Sequence, residues 1–127
     1  FVFLEQVPFG KLYEQLDKAH YLVSLFDDLD ESHLRYITTG SSGSMQLVYG
    51  FRIPCIIARK FANHYDLDDS NSIIYSESKN LHHALKTAIH LDVEAYCAIQ
   101  DKLAITASKI YRQSLDNLRN LIGDCPN

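Results

Sequence analysis

The stretch of sequence that decides the fold is residues 55–77, which read CIIARKFANHYDLDDSNSIIYSE. It contains neither glycine nor proline, and both remain absent as far as Ile122. Tight turns and strand ends use these two residues heavily, whereas long helices avoid them. The composition of this stretch therefore predicts an all-α fold, in the form of a compact helical domain.

Apolar side chains after this stretch recur mostly at three- and four-residue steps, which is the period of an amphipathic helix. They are Leu81, Leu85, Ala88, Ile89, Val93, Tyr96, Ile99, Leu103, Ala107, Ile110, Leu118 and Leu121. The pattern predicts a long C-terminal helical region that Gly123 and Pro126 terminate. Upstream, similar spacing predicts a helix over about residues 9–27 and a short one capped by Asp30 or Ser32.

Composition limits the class of protein. The 127 residues are 46% hydrophobic, which suits a single domain over residues 1–127 with its own core. The net charge is −4 and lysine and arginine do not cluster, which argues against DNA as a partner. Apolar runs stay shorter than the 18 residues of a membrane span. The chain begins at Phe1 instead of methionine, as a fragment or a processed piece of a longer protein would.

Three widely spaced cysteines, Cys55, Cys97 and Cys125, are odd in number and form no C-x-x-C pair. This pattern indicates neither a disulfide framework nor a zinc site. Free thiols in a reducing compartment are the simplest interpretation, and they favour a cytoplasmic location.

Residues 66–77 place oxygen donors at the spacing of a calcium loop. Asp66, Asp68 and Ser70 occupy positions 1, 3 and 5, the Ser72 carbonyl is available at position 7, and Glu77 is at position 12. Calcium takes six to eight oxygen ligands, and a carboxylate at position 12 closes such a loop with both its oxygens. These five residues are the predicted metal ligands.

The run resembles the loop of the EF-hand calcium-binding family, with Asn71 at the position where that family usually has glycine. The resemblance extends over about residues 30–85 and implies an EF-hand-like helix–loop–helix pair. Residues 38–49 would form a degenerate partner loop, because Thr38, Gly40 and Tyr49 occupy its ligand positions. The implied function is a calcium-binding or calcium-regulated interaction domain with a protein partner, and a homo-oligomer is possible.

Arg59 and His64 support an alternative. The spacing Arg-x4-His resembles the motif of HEPN-domain ribonucleases, which are small all-α proteins. That resemblance implies metal-independent RNA cleavage, in which the arginine stabilises phosphate charge and the histidine serves in acid/base chemistry. A third interpretation is a helical oligomerisation module without a ligand, built on the stripe from Leu81 to Leu121.

Residues 38–44, TTGSSGS, are rich in glycine and serine. They resemble the phosphate-binding loop of adenylate-forming ligases, but Met45 and Gln46 replace the proline and lysine that follow in that family. The lysine of a P-loop is also missing. A flexible linker is the simplest interpretation of this segment.

Overall fold

The computed structural model of the protein describes residues 7–27, 29–40 and 42–123. Its helices and strands, in chain order, are α1 (Phe9–Leu16), β1 (Leu22–Val23), α2 (Glu31–Thr38), α3 (Gly43–Phe51), β2 (Cys55–Ala58), α4 (Arg59–Ala62), β3 (Ile73–Tyr75), α5 (Leu81–His90) and α6 (Val93–Gly123). Short 3₁₀ turns at Asn63–Tyr65 and Ser78–Asn80 follow α4 and precede α5.

The three strands form a parallel sheet in the order β1-β2-β3. Leu22 pairs with Cys55 between the first two strands, and Ile56 pairs with Ile73 between the last two. Helices connect each strand to the next, because the end of one parallel strand must return across the sheet to the start of its neighbour. The described part of the chain is therefore a β1-α2-α3-β2-α4-β3 unit of the βαβαβ type, with α1 before it and α5 and α6 after it.

The all-α prediction is wrong, although helices form most of the chain. All four residues of β2 are buried, as in parallel strands covered on both faces, so the apolar run shows no alternation that would mark it as a strand. The turn before β3 needs no glycine, because Asp66 adopts the left-handed conformation there, with φ 52°. Aspartate tolerates that region better than most residues. An absence of glycine therefore did not mean an absence of turns.

The predicted EF-hand pair is also wrong. The helix that precedes residues 66–77 has only four residues, and β3 occupies the end of the loop, so no helix–loop–helix is formed there. The predicted partner loop at residues 38–49 is mostly helix, because α3 begins at Gly43. Asn71 does not take the left-handed conformation, since the positive φ angles of the described non-glycine residues belong to Arg52 and Asp66.

The core packs the sheet against α3, α4, α5 and the middle of α6. Its fully buried members include Met45, Val48, Ile56, Phe61 and Leu103. The predicted long C-terminal helical region is present as α5 and the 31-residue α6, while Pro126 of the predicted helix stop lies outside the described residues. Among the described residues, no helix is both long and apolar enough to cross a membrane.

Candidate functional site

The predicted calcium ligands lie on two sides of β3. Asp66, Asp68 and Ser70 line a cleft of about 470 Å³ that they share with Lys102 and Lys109 of α6. The Asp66 carboxylate is 3.9 Å from Lys109 Nζ. Asp68 Oδ1 accepts hydrogen bonds from the Ser70 hydroxyl at 2.6 Å and the Ser70 N–H at 2.8 Å, and these bonds hold the pKa of Asp68 below its ordinary value. All three side chains therefore already have partners.

The other two predicted calcium ligands, Glu77 and Ser72, do not line this cleft. Glu77 follows β3, and its carboxylate is 2.6 Å from Lys79 Nζ. Ser72 is buried, and its hydroxyl has no hydrogen-bond partner among the described residues. Within that part of the chain, no group of three or more histidine, cysteine or acidic side chains is placed to hold a metal ion. Calcium binding by residues 66–77 stays a prediction.

Arg59 and His64 do not lie on one helix, as the ribonuclease resemblance requires. Arg59 begins α4, which ends at Ala62, and His64 belongs to the 3₁₀ turn that follows. The Arg59 guanidinium is 3.1 Å from both carboxylate oxygens of Asp69. The parallel sheet does not agree with the all-α fold that the ribonuclease resemblance implies. Arg59 directly follows β2 and therefore lies at the carboxyl edge of the sheet.

The carboxyl edge gathers several polar segments because all three strands end there. In open parallel sheets, ligands bind in the crevice outside these strand ends. Helix α3 ends at Phe51, shortly before β2 begins, so its last turn is near the amino end of that strand. Its first turn is therefore near the carboxyl edge of the sheet. The glycine- and serine-rich start of α3 and the Arg59 segment therefore share one side of the molecule.

Tyr65 connects the segments at this edge. Its buried hydroxyl accepts a hydrogen bond from the Ser42 N–H at 3.1 Å and donates one to the Tyr36 carbonyl at 2.9 Å. The Tyr49 hydroxyl in turn donates to the Tyr65 carbonyl. Burial raises the pKa of Tyr49, so this phenol stays a protonated donor at neutral pH. These bonds fix the start of α3 against α2 and the 3₁₀ turn that contains His64.

The first turn of α3 has unused hydrogen-bond donors. Ser42 is the N-cap residue, but its hydroxyl lies 2.6 Å from the Ser44 hydroxyl and does not cap the helix. Among the described residues, the N–H groups of Gly43 and Ser44 have no acceptor, and Gly43 is exposed. Free N–H groups and the helix dipole make such a terminus favourable for an anion.

Aromatic rings line the neighbouring part of the edge, next to the end of β1. The ring of Phe26 packs against Phe61, Tyr36 and His33 at centroid distances of 4.9, 5.0 and 6.1 Å. His33 Nδ1 accepts a hydrogen bond from the Asp27 N–H at 2.9 Å, so the neutral imidazole has its proton on Nε2. This fixed tautomer leaves Nε2–H as a possible donor toward a ligand.

The resemblance of residues 38–44 to a phosphate-binding loop already pointed to the start of α3, but the linker interpretation of this segment is wrong for residues 42–44, because Ser42 is the N-cap residue of a helix that begins at Gly43. The signal for this helix was nevertheless present: Ser42 is a preferred N-cap residue, and Met45, Val48 and Phe51 follow at three-residue steps. The missing information was which edge of the sheet the helix would face, and that depends on the pairing of β1 with β2.

Comparisons with models of protein families, with curated protein sequences and with solved structures found no match to this chain.

Proposed function

We propose that the protein binds a nucleotide-type, phosphate-bearing substrate at the carboxyl edge of its parallel sheet. In this proposal the phosphate lies on the free N–H groups of Gly43 and Ser44, and the Arg59 guanidinium at the end of β2 exchanges the Asp69 carboxylate, now 3.1 Å away, for the phosphate. The observation that carries the proposal is the start of α3, with Gly43 exposed, at the edge where three parallel strands end.

The architecture supports a ligand of this class. Doubly wound nucleotide-binding proteins are built from βαβαβ halves that bind mononucleotides outside the strand ends. A fold alone does not specify a function, so the argument depends on the local groups. Those groups are neutral N–H and hydroxyl donors at a helix start together with an arginine, a combination that suits phosphate.

The openness of the edge favours a substrate over an enclosed cofactor. Gly43, Arg59 and His64 are all exposed, so a phosphate bound among them would stay accessible. A reacting partner, or another part of a larger protein, could then reach the group attached to that phosphate. We therefore extend the proposal to a nucleotide-linked substrate such as a nucleoside diphosphate sugar.

Gly43 offers a direct test. It does not have a positive φ, and a Cβ built on it meets no atom within 4 Å, so larger side chains fit there. Gly43→Asp should lower affinity for a nucleoside diphosphate at least tenfold, because the carboxylate repels phosphate. Gly43→Asp should not lower stability, since a negative charge is favourable in the first turn of a helix. Gly43→Asn is the matched neutral control.

Calorimetric titration with UDP, GDP and ADP, and with the sugar conjugates of UDP and GDP, measures the effect. Thermal unfolding of each variant shows that the fold is kept. The proposal is wrong if the wild type binds none of these compounds at millimolar concentration. It is also wrong if Gly43→Asp and Gly43→Asn bind them equally well.

The other expectations have less support in the geometry. A calcium ion in residues 66–77 would need Asp66 and Glu77 to leave the lysines that now lie beside them. A protein partner, a homo-oligomer and a cytoplasmic location remain predictions from the sequence.

A further inference from the structure

A separate cavity of about 310 Å³ lies at the opposite end of α3 from the proposed nucleotide site. Its walls include two arginines, Arg52 and Arg112, and the side chains of Tyr49, Ser108 and Tyr111. A nine-residue helix is about 13 Å long, so the two ends of α3 are too far apart to belong to one phosphate site.

The backbone at Arg52 is unusual. This residue caps the C-terminus of α3 in the left-handed conformation, with φ 54° and ψ 40°. Glycine normally occupies such positions because a Cβ is unfavourable there. The Arg52 carbonyl is fixed by a 3.3 Å hydrogen bond from Gln100 Nε2 of α6. The chain therefore places a cationic side chain on the cavity wall where local structure would favour glycine.

No acidic side chain in the described part of the chain neutralises the positive charges of this cavity. Among the described residues, neither Arg52 nor Arg112 forms an ion pair with a carboxylate. Asp116 is one helical turn from Arg112, yet its carboxylate is 3.3 Å from Arg119 instead. The C-terminal carbonyls of α3 offset part of the charge on Arg52, but Arg112 lies in the interior of α6 and has no such partner.

We propose that this cavity binds a phosphate monoester group through Arg52 and Arg112. Guanidinium groups match phosphate oxygens in pairs, and two of them balance a dianion. The hydroxyl of Tyr111 provides a further donor, whereas that of Ser108 is already bonded to the Ala104 carbonyl at 2.9 Å. The volume is at the lower limit for ligand pockets, which suits a phosphate with a small attached group.

Glycerol 3-phosphate is a suitable probe because its phosphate monoester occurs both in small metabolites and in lipid headgroups. Wild-type protein should bind it saturably in calorimetric titration. Arg112→Gln should weaken binding at least tenfold, and Lys86→Gln, which removes an exposed positive charge outside the cavity, should leave the affinity within twofold.

Arg52→Gly separates binding from folding. It removes the guanidinium and places glycine where the left-handed backbone favours it, so it should weaken binding without lowering the thermal midpoint. Gly43→Asp, at the other end of α3, should leave glycerol 3-phosphate affinity unchanged. If nucleotide binding fails while glycerol 3-phosphate still binds, the proposed function is wrong and the proposal for this second site stands.

Vesicles distinguish the two sources of the phosphate. If vesicles of phosphatidylcholine with phosphatidic acid sediment the wild type but not Arg112→Gln, the ligand is a lipid headgroup; if only soluble glycerol 3-phosphate binds, it is a small metabolite. The proposal is overturned if the wild type binds neither probe, or if Arg112→Gln and Lys86→Gln bind them equally.

Discussion

At the scale of single residues, polar side chains build the turn that glycine and proline would build in other chains. Asp66 adopts a positive φ, and Asp68 accepts the Ser70 N–H in a turn that aspartate side chains commonly form. Asn71 is 2% exposed, and its side chain makes three hydrogen bonds, accepting from the Asp68 N–H and donating to the Asp66 carbonyl and the Thr106 hydroxyl. It therefore fastens the turn before β3 to α6.

Asn71→Ala should destabilise the protein by about 1–3 kcal/mol, because it removes three part-buried hydrogen bonds. Chemical denaturation followed by circular dichroism measures the change. Asn117→Ala, on the exposed surface of α6, is the control and should change stability by less than about 0.5 kcal/mol. Equal effects of the two substitutions would show that Asn71 does not fasten the turn.

At the scale of secondary-structure elements, the start of α3 depends on the neighbouring 3₁₀ turn for its position. The Tyr65 hydroxyl links the Ser42 N–H to the carbonyl of Tyr36 in α2, so one buried phenol connects three segments. Direct side-chain capping of α3 is lacking, because Ser42 makes no cap hydrogen bond. The proposed phosphate site therefore relies on a residue that would not itself contact the ligand.

Tyr65→Phe should lower stability by about 1–3 kcal/mol, since it leaves the buried Ser42 N–H and the half-buried Tyr36 carbonyl without this partner. It should also speed hydrogen exchange at the Ser42 amide and weaken nucleotide affinity several-fold. Tyr36→Phe is the control, because it removes a hydroxyl that accepts a hydrogen bond from the exposed Arg35 guanidinium. Unchanged Ser42 exchange in Tyr65→Phe would contradict the positioning role.

At the scale of the whole molecule, β2 is the centre of the sheet and pairs with both other strands. Its first residue, Cys55, is fully buried, and burial raises the pKa of its thiol to about 12, from an ordinary value of 9.0. Cys97 in α6 is exposed. The two thiols therefore report on different events, one on global unfolding and the other on the surface of the native protein.

In a Cys125→Ser background, Cys97 should react with dithiobis-nitrobenzoate within seconds to minutes at about pH 8. Cys55 should react only at the rate of global opening. The raised pKa of Cys55 also predicts that stability falls as pH rises from 9 toward 12, because only the unfolded state loses the thiol proton in that range. Comparable labelling rates for the two thiols in native protein would contradict the central placement of β2.

The sequence by itself determined the helical C-terminal region, and it indicated Asp30 or Ser32 as the cap of α2. The structure has Asp30 as that cap, and its carboxylate accepts the Ser32 N–H at 2.8 Å. These features depend on neighbours within one or two helical turns, so the local spacing of residues predicts them.

The tertiary structure alone decided that the predicted helix over residues 9–27 ends at Leu16 and is followed by β1. A strand of two to four residues has no stability of its own and exists only through pairing with residues far away in sequence, as Leu22 does with Cys55. The same pairing places the start of α3 at the carboxyl edge of the sheet, so the proposed phosphate site depends on the fold.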